Sequence, residues 1–109
     1  MLLTTTSSIE GNVDIDYIGI ITGEAVLGVN MFKDLQAQAR DIVGGRVWSY
    51  EKEFASARET ALNELQAAAT LLGANAVIGV SIDYDTLSSG SMLMVTATGT
   101  AVNYTKYAR

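Results

Sequence analysis

The chain has 109 residues, 49% of them hydrophobic, enough for one core but not for two. Seven Lys and Arg against twelve Asp and Glu leave a formal charge of −5, the wrong sign for holding a phosphate backbone, so nucleic acid is not an expected partner. With no Cys, His or Pro in the chain, thiolate catalysis, disulfides, Cys/His zinc sites and histidine-dependent triads are excluded.

The lack of cysteine fits a reducing compartment. Met1-Leu2-Leu3-Thr4-Thr5-Thr6 has neither the basic region nor the apolar run of a signal peptide, so a cytoplasmic location is expected. The apolar runs are broken by Gly, Glu, Asp or Thr well before the roughly 20 residues of a membrane-spanning helix, so no span is expected.

In chain order, Thr4 to Ile9 suggests a short strand or arm. Val13 to Val29 is dense in β-branched residues and predicts a long central strand, bending or dividing near Gly23, with Gly19, Gly23 and Gly28 as places for a bulge or close backbone approach. Asn30 is a good N-cap, and Phe32, Leu35, Ala39 and Ile42 make a short amphipathic helix that Gly44-Gly45 stops. A second helix starts near Val47 to Ser49, carries Tyr50, Phe54, Ala57, Ala61, Leu65, Ala68 and Leu72 on one stripe, and ends at Gly73. Strict alternation then puts Ala76, Ile78, Val80, Ile82 and Tyr84 on one face of a strand, with Val77, Gly79, Ser81, Asp83 and Asp85 on the other. Leu87-Ser88-Ser89-Gly90 reads as a hairpin loop, Met92 to Val102 as a final strand, and Tyr104 to Arg109 as a fraying tail. The expected fold is α+β, a two-layer sandwich of two helices on a mainly antiparallel sheet, in one domain over 1–109. At 17% charged residues, such a domain exposes apolar sheet surface unless other copies cover it, which predicts homo-oligomerisation.

Several linked motifs resemble the YbjQ-like family. They are Ile21-Thr22-Gly23-Glu24-Ala25-Val26-Leu27-Gly28, Arg40-Asp41-Ile42-Val43-Gly44-Gly45-Arg46, Ser49-Tyr50-Glu51-Lys52-Glu53 and Ala57-Arg58-Glu59. The match continues through Leu72 to Val80, Ile82-Asp83-Tyr84 and Ser91 to Val95, and so covers nearly the whole chain in order. The resemblance implies a dodecin-like subunit that assembles into a homopentameric ring, in a family labelled heavy-metal-binding whose members are mostly uncharacterised. Three positions depart from the family pattern. Val47-Trp48 replaces small residues after Gly-Gly-Arg, Asn75 stands where Asp is common, and Ser81 stands where Asp is common before Ile-Asp-Tyr. Two anionic ligands are thereby missing.

Candidate sites follow from residue chemistry. Soft metals take thiolate, imidazole or thioether, and only methionines remain here; the strand pair Met92 and Met94 could in principle hold Cu(I), although such pairs ordinarily pack a core or interface. Hard cations take oxygen, which Asp83 with Asp85, or Asp14 with Asp16, could supply, although alternating Asp commonly marks a solvated sheet edge. Gly44, Gly45 and Arg46 precede a helix N-terminus and, with Trp48 and Tyr50, form a candidate site for a small anionic or planar ligand. The more ordinary reading is that the glycines make an inter-helix turn and Arg46 pairs with Glu51, Asp41 or a neighbouring subunit. Glu24 interrupts an apolar strand and would be costly to bury alone, which predicts a structural ion pair with Arg46, or else with Arg40 or Arg58. A general-base role for Glu24 has no nucleophile or acid partner beside it, and no Ser-Lys signature surrounds Lys33 or Lys52, so no enzyme activity is expected. The glycine spacing at Gly23 and Gly28 is that of a P-loop without its Lys and Ser/Thr. No cofactor is specified.

Overall fold

The structure is a computed structural model that describes residues 1–27, 48–87 and 92–107. The helix predicted after Asn30 and the loop residues 88–91 lie outside the described residues. Four strands and one helix are placed: β1 Leu2–Leu3, β2 Val13–Leu27, α1 Trp48–Leu71, β3 Ala76–Leu87 and β4 Met92–Lys106. They form one sheet in the order β1-β3-β4-β2. β4 runs antiparallel to both long neighbours, and β1 runs parallel to β3, which makes the sheet mixed but mainly antiparallel.

The helix lies on one sheet face, packed chiefly on β2 and then β4. Its stripe buries Ala57, Ala61, Leu65 and Ala69 against Ile21, Leu27, Val77, Val80, Leu93, Val95, Ala97 and Ala101. Small residues bring the helix close: a Cβ built on Gly23 would collide with the backbone oxygen of Ala61 and the backbone nitrogen of Leu65. The central strand therefore does not divide at Gly23, which is the seat of the helix. Its irregularity falls instead between Tyr17 and Gly19, where the register with β4 shifts. The helix stops earlier than the stripe suggested. Leu72 is half exposed, and Gly73 at φ 80° closes a C-terminal turn in which the Ala74 N–H donates to the Ala69 carbonyl.

Strict alternation fails in β3. The pairing with β4 shifts between Ile78 and Ser81, and Gly79 at φ 62° takes the left-handed conformation that suits glycine. One extra residue exchanges the faces. Val77 lies under the helix with Val80 and Ile82, while Ala76 and Ile78 join Val102, Ile9, Ile15 and Tyr104 in a second cluster. Register partners share a face, so this cluster sits on the side of the sheet away from the helix.

The expected fraying tail is ordered strand as far as Lys106. The Asn75 carboxamide holds it at both ends, donating to the Tyr104 carbonyl and accepting from the Tyr104 N–H, each at 2.9 Å. An Asp at 75 would accept but could not donate, so the departure from the family pattern has a structural use here. Beyond Lys106, the Tyr107 N–H donates to the Asn12 carbonyl, and its hydroxyl donates to Asp14 Oδ2 at 2.8 Å.

That last bond, with the negative charge of Asp14 itself, raises the Tyr107 pKa above its ordinary 10.0. A group whose pKa rises on folding adds stability that is complete below the unfolded value and is lost as pH climbs through the folded one. The attachment of this strand end should loosen only in strongly alkaline solution. Ultraviolet titration of tyrosinate, comparing the wild type with Tyr107→Phe, should show one late-ionising tyrosine that the variant lacks; identical titrations would refute the contact.

Candidate functional site

The candidate residues fall on three parts of the chain. Gly44, Gly45 and Arg46 lie outside the described residues, as does any pairing of Arg46 with Glu24. Trp48 and Tyr50 stand in the first turn of α1. Glu24, Asp83 and Asp85 lie on the sheet, and all three are exposed. The burial penalty suggested for Glu24 is thus absent from the single subunit.

The face away from the helix collects these carboxylates. Glu24 and Asp83 both pair with Thr96, one from each side, which sets Glu24, Thr96 and Asp83 in one row across β2, β4 and β3. The next row is Val26, Met94 and Asp85. Neighbouring strands lie about 4.8 Å apart, so Glu24 and Asp83 are separated at their backbones by roughly 10 Å. Among the described residues no group of three acidic, His or Cys side chains is arranged to hold a metal ion. The strand places Met94 between an apolar and an acidic neighbour rather than opposite another thioether.

A further carboxylate escaped the sequence reading. Glu64 Oε2 accepts the backbone N–H of Glu24 at 3.0 Å, at the mouth of a groove of about 380 Å³ between β2 and α1. Glu24 to Leu27 form one wall; Ser56, Ala57, Thr60 and Glu64 form the other. On the opposite flank of the helix, Arg58 Nη1 donates to the Tyr84 hydroxyl at 3.1 Å, and Tyr84 meets Phe54 edge to face at 6.2 Å. The one signal for Glu64 in the sequence was indirect. Gly23 facing a helix with alanines at 57 and 61 implies close approach, and a polar residue beside that stripe can then reach strand backbone.

The arrangement is that of a two-layer α+β subunit whose far sheet face is covered only around Ala76, Ile78 and Val102, with no assembled catalytic constellation among the described residues. The chain belongs to the YbjQ family, described as "Putative heavy-metal-binding", whose model matches residues 1–105. It is similar in fold to a protein of unknown function of the DUF74 family from Pediococcus pentosaceus, with a TM-score of 0.64. The two share 16% identity over 94% of this chain and 96% of that one. The family description meets a donor set that does not fit a soft heavy metal. With neither thiolate nor imidazole anywhere in the sequence, oxygen ligands dominate, and these suit hard cations such as magnesium, calcium or manganese.

Proposed function

We propose that this protein is a non-enzymatic, cytoplasmic subunit of dodecin-like fold that self-associates into a closed ring of five copies and holds a metal ion or small ligand at or between them. The observation supporting this is its shape. The radius of gyration is 17.5 Å and the extents are 58 × 28 × 16 Å, whereas a self-contained domain of this length has a radius of about 13 Å. Among the described residues, a slab one helix and one sheet thick leaves much apolar surface in water. Ile20 is 85% exposed and Tyr17 68%, and Ile18 and Val26 are exposed beside them on the same edge strand. Neighbouring copies are the natural cover for such a surface.

For a metal ion, the site proposed is Asp83 with Asp85, with Glu24 in the same row as Asp83 two strands away, and its cargo is a hard cation. For an anionic or planar molecule, it is Gly44, Gly45, Arg46, Trp48 and Tyr50, since Trp48 opens α1 and the helix N-terminus favours negative charge. Native mass spectrometry of untagged protein, followed by elemental analysis of the same sample, tests the whole reading. A pentamer is expected, and reproducible extra mass would identify what it carries. A monomer at micromolar concentration would overturn the proposal. Quenching of the single Trp by a candidate anion, retained in Asp83→Asn and not produced by metal ions, would favour the second site over the first.

A further inference from the structure

The bond from the Glu24 N–H to Glu64 fixes the polarity of an entire sheet edge. In an antiparallel ladder, alternate residues turn both backbone groups toward the partner strand or both away from it. Glu24 turns away from β4, and Thr22 and Ile20 are in phase with it in an unbroken register. Strand β2 is the last in the sheet order, so these groups face outward. The opposite margin is half closed. β1 covers Ala76 and Val77, and the arm behind it accepts from Gly79 and Val80 through the carbonyls of Thr6 and Thr4. Ile82 and Tyr84, in phase with Val80, also turn outward, and no described strand lies beside them. Edges without a partner strand are templates for strand addition.

The helix adds complementary charge. Glu64 lies on the flank over β2 and Arg58 on the flank over β3. Six residues apart, they point about 120° away from each other and cannot pair within one helix. Each copy thus presents an anion beside one edge, and a cation beside the other, where no described strand is paired.

We propose that copies join head to tail along these edges, Ile20–Glu24 of β2 adding to Ile82–Asp85 of β3 in the next copy, with Arg58 of one facing Glu64 of the other. This rests on the self-association reading and names its seam. The added pairing is parallel, because β2 and β3 both run antiparallel to β4 and therefore parallel to each other. Setting Thr22 level with Asp85 keeps level side chains on one face, as a parallel ladder requires, and brings Glu64 to within about one residue's rise of Arg58 along the seam. The helix lies over β2 and β4 in each copy, so successive helices stand three strand spacings, about 14 Å, apart. An arginine and a glutamate can close that gap. Glu64 holds the Glu24 amide in the lone chain; strand addition passes the amide to a neighbour's carbonyl and frees the carboxylate for Arg58. A heterologous seam uses both edges of every copy, and closes into a ring when the rotation between copies closes, where an isologous β2 pair would stop at a dimer.

The chain has no cysteine, so paired introduced thiols report the seam without background. Thr22→Cys with Asp85→Cys places both thiols on the face away from the helix. Within one chain, β4 separates these positions by roughly 10 Å across the sheet and about 13 Å more along it, too far for a disulfide. Mild oxidation of the double variant should give a ladder of covalent multimers ending at the ring size, with neither single variant doing so. Ile20→Cys with Asp83→Cys is a second pair across the same seam, should the first fail to fold. Covalent dimer from Thr22→Cys alone, or no multimer from either pair while native mass spectrometry still shows an oligomer, would overturn the seam and leave self-association standing. A wild-type monomer would overturn self-association itself.

Discussion

Gly23→Ala should destabilise the fold by about 3 kcal/mol or more, the upper end of what overpacking costs. The added methyl would meet the Ala61 oxygen and Leu65 nitrogen, with the Glu64 carbonyl carbon 3.1 Å away. All three are helix backbone, which cannot yield by changing a rotamer. The whole of α1 would have to lift from β2, opening the contact that buries Ala57, Ala61, Leu65 and Ala69 and moving Glu64 from the Glu24 amide. Two other glycines provide a graded comparison. At Gly99 the new Cβ would stand 2.6 Å from Val77 Cγ1 and 3.2 Å from the Ile78 oxygen, so a side chain takes most of the strain and a smaller loss is expected. At Gly19 nothing lies within 4 Å, and alanine should be tolerated there. Urea unfolding followed by far-ultraviolet circular dichroism, at one fixed protomer concentration, measures the series. Equal midpoints for Gly23→Ala and Gly19→Ala would show that the helix does not rest on the strand backbone.

The same contact shows what the sequence could and could not reveal. The helix was legible because Phe54, Ala57, Ala61 and Leu65 repeat at its period, and three of the four are fully or nearly buried. Its depth on the sheet was legible only jointly, from a strand glycine and helix alanines more than 30 positions away in the chain. In β3 the alternation runs uninterrupted in the sequence, yet the faces exchange at Gly79, because a bulge adds a residue without disturbing the pattern on either side of it. The end of β4 was hidden for a different reason. Asn103, Thr105 and Lys106 are polar and exposed, and what holds them is cross-strand pairing with β2 and the Asn75 carboxamide, neither of which has a local signature. Among the candidate site residues, the surface position of Asp83 and Asp85 followed from their alternation with apolar neighbours. The capping role of Glu64 could not, since a glutamate on a helix flank reads the same whether it meets water or a strand amide.

Leu65→Ala should cost about 2–5 kcal/mol, the range for truncating a fully buried leucine. Leu65 has 0% exposure and is among the largest wholly buried side chains, together with Val77, Val95 and Val102. Its neighbours offer little to refill the space. The facing positions of the core include Ala61, Ala69, Ala97 and Ala101, whose methyl groups cannot extend into a cavity. Close seating of the helix backbone at Gly23 also limits how far α1 can sink toward the sheet. The loss should therefore lie nearer the upper end, against a total stability of about 5–15 kcal/mol for a domain of this kind. It should appear as an earlier urea midpoint with an unchanged slope, since the native and unfolded surfaces hardly differ from those of the wild type. Leu71→Ala, at a side chain 88% exposed, removes the same atoms from the same helix and should shift the midpoint little in the dissociated subunit. If the two variants unfold alike, the buried stripe of α1 is not what holds the helix to the sheet; if Leu71→Ala is costly only at concentrations where copies associate, its exposed side chain belongs to the assembly.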